Sequence, residues 1–162
     1  MRALCHVRRP VLVGSVPAVV SEHKHNSIDC KGKAMRIERQ PGPPGASFSG
    51  AVLVEGSGAW VFVSGQLGTD DEGNIVEGGL AAETRAAFGH LVEKVVAAGG
   101  DTSNVVRLTA YLTSLEEYQL YGEVRRGVFG ETLPASTAIQ VAGLLGGATV
   151  EIDAIAFIPA AE

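Results

Sequence analysis

At 162 residues and 46% hydrophobic, the chain is long enough to bury one sizeable core, yet no stretch approaches the roughly 20 uninterrupted apolar residues of a membrane-spanning helix. Charge is divided unevenly: residues 1–34 hold six Lys/Arg against Glu22 and Asp29, a net of +4, while residues 35–162 hold seven against sixteen acidic residues, a net of −9. So acidic a segment repels phosphate backbones, which argues against nucleic acid as a partner.

Both cysteines, Cys5 and Cys30, fall in the basic leader. The remainder therefore has no disulfide, thiolate nucleophile or cysteine-based zinc site. His6, His23 and His25 share the leader with those cysteines but show no ligand spacing, so no metal site is expected. The apolar patch Val11-Leu12-Val13 lies between Pro10 and Pro17 and is too short for a secretory signal. A transit-type peptide fits the excess of basic residues. The alternative is a mis-assigned start, because Met35-Arg36-Ile37-Glu38 leads straight into the patterned region. Residues 1–34 are thus expected to be a disordered leader or not native coding sequence, and residues 35–162 to form one domain.

Pro41-Gly42-Pro43-Pro44-Gly45 reads as a turn or extended lead-in that cannot be helical. Phe48 to Val54 and Trp60 to Gln66 are β-rich runs, and the intervening Glu55-Gly56-Ser57-Gly58 predicts a hairpin between them. Asp70-Asp71-Glu72-Gly73-Asn74 is a tight turn. Leu80 to Ala98 fits a helix whose apolar stripe carries Ala81, Thr84, Phe88, Leu91, Val92 and Val95, with Gly99-Gly100 as the stop. Val105 to Thr113 alternates, placing Val106, Leu108, Ala110 and Leu112 opposite Arg107, Thr109, Tyr111 and Thr113. Ser114-Leu115-Glu116-Glu117 is a capping-box pattern that predicts a helix running to about Phe129. Strands near 135–142 and 149–158 follow, joined by a turn at Gly146-Gly147. The order ββαβαββ predicts an α+β fold, one mixed sheet with two helices on a single face.

In the last strand, Thr149, Glu151 and Asp153 share one side, and Val150, Ile152, Ala154 and Ala156 the other. Two carboxylates so placed must be solvated, paired or used. Tyr111, Ile155 and Phe157 lie on that same second face and point to its partial burial in an oligomer.

Several blocks recur in the order and spacing of a known family: Phe48-Ser49, Val63-Ser64-Gly65-Gln66, Ala97-Ala98-Gly99-Gly100, Val105-Val106-Arg107, Tyr111-Leu112-Thr113, Val128-Phe129-Gly130, Leu133-Pro134-Ala135-Ser136 and Val150-Glu151-Ile152-Asp153. Together they resemble the Rid family (YjgF-type) over roughly residues 47–158. The best-known members hydrolyse reactive enamines and imines to ketones and ammonia. The resemblance implies a chorismate-mutase-like fold and a cytoplasmic homotrimer with a barrel-like core. It implies no cofactor and no metal. It also implies a small-molecule site in each cleft between subunits, lined by Phe48, Gly65, Ser136, Ala138 and Glu151. In that scheme Glu151 directs the attacking water, and backbone near Ala138 receives the nitrogen.

One signature residue is absent. Deaminating members carry an arginine after the Pro-Ala pair, and it clamps the substrate carboxylate; this chain has Ser136. A guanidinium fork binds a carboxylate in two places, whereas a hydroxyl offers one uncharged donor. Exchanging them in a closed cleft should cost about 2–5 kcal/mol, roughly two to four decades of affinity. Phe48 also lacks the hydroxyl of the tyrosine usual there, and Gln140 stands for a frequent glutamate. Arg107, Arg125 and Arg126 read as solvated sheet-edge or helix residues, with a replacement role for Arg107 across a subunit boundary left open. His90 reads as a surface residue of the first helix. Ser64-Gly65-Gln66 lacks the frame of a nucleophile elbow, and Gly143 to Gly147 lacks phosphate-loop spacing.

Two functional readings follow. The first is a hydrolytic deaminase-type enzyme acting on an imine, enamine or related electrophile without a carboxylate. The alternative is a non-catalytic trimer that binds a metabolite. Ribonuclease activity fits worst, given the acidic domain and the missing arginine.

Overall fold

The computed structural model describes residues 36–160, and the expectations for residues 1–34 lie outside the described residues. Alternating and β-branched runs become strands β1 (Arg36–Pro41), β2 (Ser49–Glu55), β3 (Gly58–Leu67), β4 (Val105–Leu112), β5 (Ala135–Gln140) and β6 (Val150–Pro159). The two stretches with helical period become α1 (Gly79–Ala97) and α2 (Tyr118–Phe129). They form one mixed sheet in the order β1-β2-β5-β4-β6-β3, in which β5 runs parallel to β2 and β4 while the other pairs are antiparallel. The α+β class and the position of α1 are as expected.

Three expectations are corrected. The element order is βββαβαββ, because Arg36–Pro41, to which no element was assigned, is an edge strand antiparallel to β2; the turn expected at residues 41–45 follows it. Its ladder slips at Pro41, which has no N–H to donate and so ends the pairing. Second, the short link after Glu55 does not make a hairpin. β2 meets β5 only at Ser49 and Ala135, whereas β3 pairs with β6 at the opposite edge. The β1–β2 ribbon forms the other edge of the sheet, and Arg39 Nη2 donates to the Ser103 carbonyl at 2.5 Å. Third, α2 opens at Tyr118, not at the capping box. The Ser114 hydroxyl accepts from the Glu116 N–H at 3.1 Å, which makes a turn before the helix.

The core lies between one sheet face and the helices. Phe88 of α1 packs against Tyr121 and Phe129 of α2 with ring centroids 5.9 and 5.4 Å apart. Beneath them lie Leu108, Ala110, Leu112, Ile152, Ala154 and Ala156, all buried. Glu83 is buried on the same stripe, and its carboxylate accepts the Thr149 N–H at 2.7 Å, which fixes the start of β6. The predicted turn at residues 70–74 forms, with the Asp70 carboxylate accepting from the N–H groups of Glu72 and Asn74. On the uncovered face, Phe62 and Ile139 are exposed.

Candidate active site

Strand register decides which of the expected site residues meet. Across the sheet Leu108 pairs with Ser136 and Ala154, and Ala110 pairs with Ala138 and Ile152. Directly paired residues share a face, so Ser136 and Ala138 lie on the helix side. Tyr111 pairs with Ile139 and with Glu151, so Glu151 lies on the uncovered side. Within one chain the expected site is therefore split into two halves, one on each side of the sheet.

The helix-side half is a recess of about 390 Å³ lined by Phe48, Leu115, Tyr118, Ser136 and Ala138. The uncovered half holds Glu151 against Gly65. A Cβ at position 65 would overlap the Glu151 carboxylate, so only glycine lets that side chain lie across β3. Ser64 and Gly65 sit where the β3–β6 ladder slips, between Val63 and Gln66. Such a bulge re-aims the strand next to the carboxylate. The paired-carboxylate question raised by β6 is resolved unequally. Asp153 accepts from the Tyr111 hydroxyl at 3.1 Å, and that hydrogen bond, together with the Asp153 charge, holds the Tyr111 phenol above its usual pKa. Glu151 faces the glycine instead.

The residue missed by the sequence reading is Arg125. It is 1% exposed, not solvated. Its Nη1 donates to Ser136 Oγ at 2.7 Å, and its Nη2 donates to Ser47 Oγ at 2.6 Å and reaches the Tyr118 hydroxyl at 3.4 Å. The guanidinium carbon lies 5.4 Å from the Phe48 ring centroid and 4.9 Å from that of Tyr121, within cation–π range. Gly122 permits the approach, because a Cβ there would come within 3.1 Å of Ser47 Oγ. The signal was present in the helical period. Tyr118, Tyr121, Arg125 and Phe129 fall three or four residues apart on one stripe, and the last three are buried.

The other cations lie elsewhere. Arg107 donates to Thr137 Oγ1 at 2.7 Å on the Glu151 side of the sheet, and Arg126 donates to the Gly45 carbonyl at 2.7 Å. His90 is half-buried, with Nδ1 3.1 Å from the Leu67 carbonyl oxygen. Among the described residues, no group of three or more His, Cys, Asp or Glu side chains is arranged to hold a metal ion, and no helix is long and apolar enough to cross a membrane.

A six-stranded mixed sheet with two helices on one face, and a cleft residue set shared between its two sides, defines a class of small α+β proteins. Residues 39–158 match the model of the family described as Endoribonuclease L-PSP, and the chain belongs to that family, also known as Rid or YjgF-type. It is 39% identical over 125 residues to the 2-iminobutanoate/2-iminopropanoate deaminase of Rattus norvegicus, covering 76% of this chain and 88% of the relative. The Homo sapiens protein of that name is 37% identical over the same shares. Among solved structures, RidA from an Antarctic Psychrobacter is 32% identical with a TM-score of 0.60, covering 78% of this chain and 100% of its own. Escherichia coli TdcF with bound serine is 28% identical with a TM-score of 0.59, covering 78% and 99%.

Proposed function

We propose that this protein hydrolyses reactive imines or enamines to the corresponding carbonyl compound and ammonia. The observation that carries the reading is the placement of Glu151 over Gly65, which leaves a half-buried carboxylate facing away from the core without a basic partner among the described residues. A carboxylate so held can accept a proton from water as the oxygen attacks the imine carbon. The C=N bond pair moves to nitrogen, which takes up a proton. Collapse of the resulting carbinolamine forms the C=O bond and releases the nitrogen as ammonia. Backbone groups near Ala138 receive that nitrogen, and Phe48 and Tyr118 supply the wall that holds the substrate.

In this reading the active unit is a cytoplasmic homotrimer formed by residues 35–162. The uncovered sheet face, with exposed Phe62 and Ile139 beside Glu151, is the surface that closes against a neighbour. Assembly then brings the Ser136 half of one subunit to the Glu151 half of the next, which the opposed faces of a single chain do not allow. The relatives named as imine deaminases support the chemistry. The test is ammonia release from freshly generated 2-iminopropanoate and from a neutral imine, comparing the full chain with Glu151→Gln. Loss of rate with retained fold supports hydrolysis. Equal ligand binding and no turnover by both proteins would favour a non-catalytic metabolite-binding trimer.

A further inference from the structure

Arg125 raises a problem of charge that the fold does not solve. Its guanidinium is buried, its Nε has no hydrogen-bond partner, and among the described residues no carboxylate lies within ion-pair distance. Among the described residues its hydrogen bonds go to three hydroxyls, those of Ser47, Tyr118 and Ser136, and its faces meet Phe48 and Tyr121. Buried charges are normally paired, because an isolated one forfeits its hydration without return. An uncompensated cation beside a recess is therefore a standing attraction for an anion. Phe48, Tyr118 and Ser136 are shared between the shell of the cation and the lining of that recess.

The hydrogen-bond directions say how the charge reaches the recess. Ser136 Oγ accepts from Nη1, so one of its lone pairs is occupied and its own O–H is left to donate elsewhere. The Tyr118 hydroxyl is held in the same sense, more loosely. Each O–H is polarised by the guanidinium behind it, which strengthens a bond to an anion in front. Helix α2 thus supplies, seven residues apart, a cation and a phenol beside the positions where Ser136 and Phe48 lack them.

We propose that Arg125 is a positioning residue for an anionic substrate tail: it orients the Ser136 hydroxyl as a donor to a carboxylate in the recess, so that the protein takes imines bearing a carboxylate. This deepens, and rests on, the reading of the cleft as an imine-hydrolysing site. It replaces the expectation of a carboxylate-free substrate, whose premise was that no cation stands near Ser136.

The test is an NMR titration of the full chain with 2-oxobutanoate and with its neutral amide, 2-oxobutanamide. The wild type is expected to bind the carboxylate about tenfold or more tightly than the amide. Ser136→Ala and Arg125→Met should each reduce that preference to less than about threefold, and Arg125→Lys should recover part of it. In turnover of 2-iminobutanoate, the Arg125→Met defect should fall mainly on KM rather than kcat, which a merely structural role would not produce. Equal binding of the two probes by the wild type would overturn the proposal, as would an undiminished preference in Ser136→Ala. The latter arm stands even if Arg125→Met fails to fold. Carboxylate preference without imine turnover would refute the hydrolase reading and leave the anion site intact. Turnover without preference would do the reverse.

Discussion

A methyl group at position 65 offers a direct challenge to the assigned chemistry. Gly65 is exposed and is absent from the glycines with positive φ, so alanine is free of backbone strain there. The new Cβ would fall on the Glu151 carboxylate, and the glutamate must rotate away. Holding it off a preferred rotamer costs about 0.5–1.5 kcal/mol, so the fold should survive with little change in Tm. Catalysis should not. A displacement of about 1 Å in a positioned group costs around 10²-fold in rate, equivalent to about 2.7 kcal/mol. Glu151→Gln removes the base altogether and should cost about 10²–10⁴-fold. The two changes act on one contact, so the double variant should be no slower than Glu151→Gln alone. Ammonia released from 2-iminopropanoate, coupled to reductive amination by an auxiliary dehydrogenase, reads all three. Near-normal turnover in Gly65→Ala, or additive losses in the double variant, would refute a water-directing role for Glu151.

Other expectations concern the core, the alkaline limb and assembly. Phe88→Ala empties a site that is 1% exposed and touches both Tyr121 and Phe129, so chemical denaturation should show a loss of about 3–5 kcal/mol. Burial pushes the Tyr121 phenol above its usual pKa, against the opposing charge of Arg125. The folded state then holds that proton more tightly than the unfolded state. The stability this contributes is complete below about pH 10 and is lost as pH rises through the folded value. Urea titrations from pH 8 to 11 should show a steeper alkaline decline for the wild type than for Tyr121→Phe. Phe62→Asp places a charge on the exposed sheet face, and sedimentation should show a wild-type trimer and a dissociated variant; an unaltered trimer would place the interface elsewhere.

The strands and helices were legible because their periods are clean. The run from Val105 to Leu112 alternates in burial just as it alternates in polarity. The failures share a physical cause. Glu83 and Arg125 both lie on buried helical stripes; Glu83 was left out of the expected stripe, and Arg125 was read by its charge rather than by its position. Glu83 is held by the Thr149 N–H and Arg125 by the hydroxyls of Ser47 and Ser136, partners on other elements that no local pattern announces. The hairpin expected after Glu55 failed for a related reason. A short link permits a hairpin, but β3 found its hydrogen bonds on β6, nearly a hundred residues later. The division of the expected site residues between two faces appears only once the register of β4, β5 and β6 is known.

That division bears on inheritance. In the proposed trimer, a chain that carries Ser136 on one side of its sheet and Glu151 on the other contributes to two different clefts of a closed ring. A subunit damaged at Glu151 still lends a sound Ser136 side to one neighbour, and a subunit damaged at Ser136 still lends a sound Glu151 side. A ring of three containing both kinds has one cleft assembled from undamaged parts. Two inactive alleles expressed in one cell should therefore rescue each other in part, while two lesions on the same side should not.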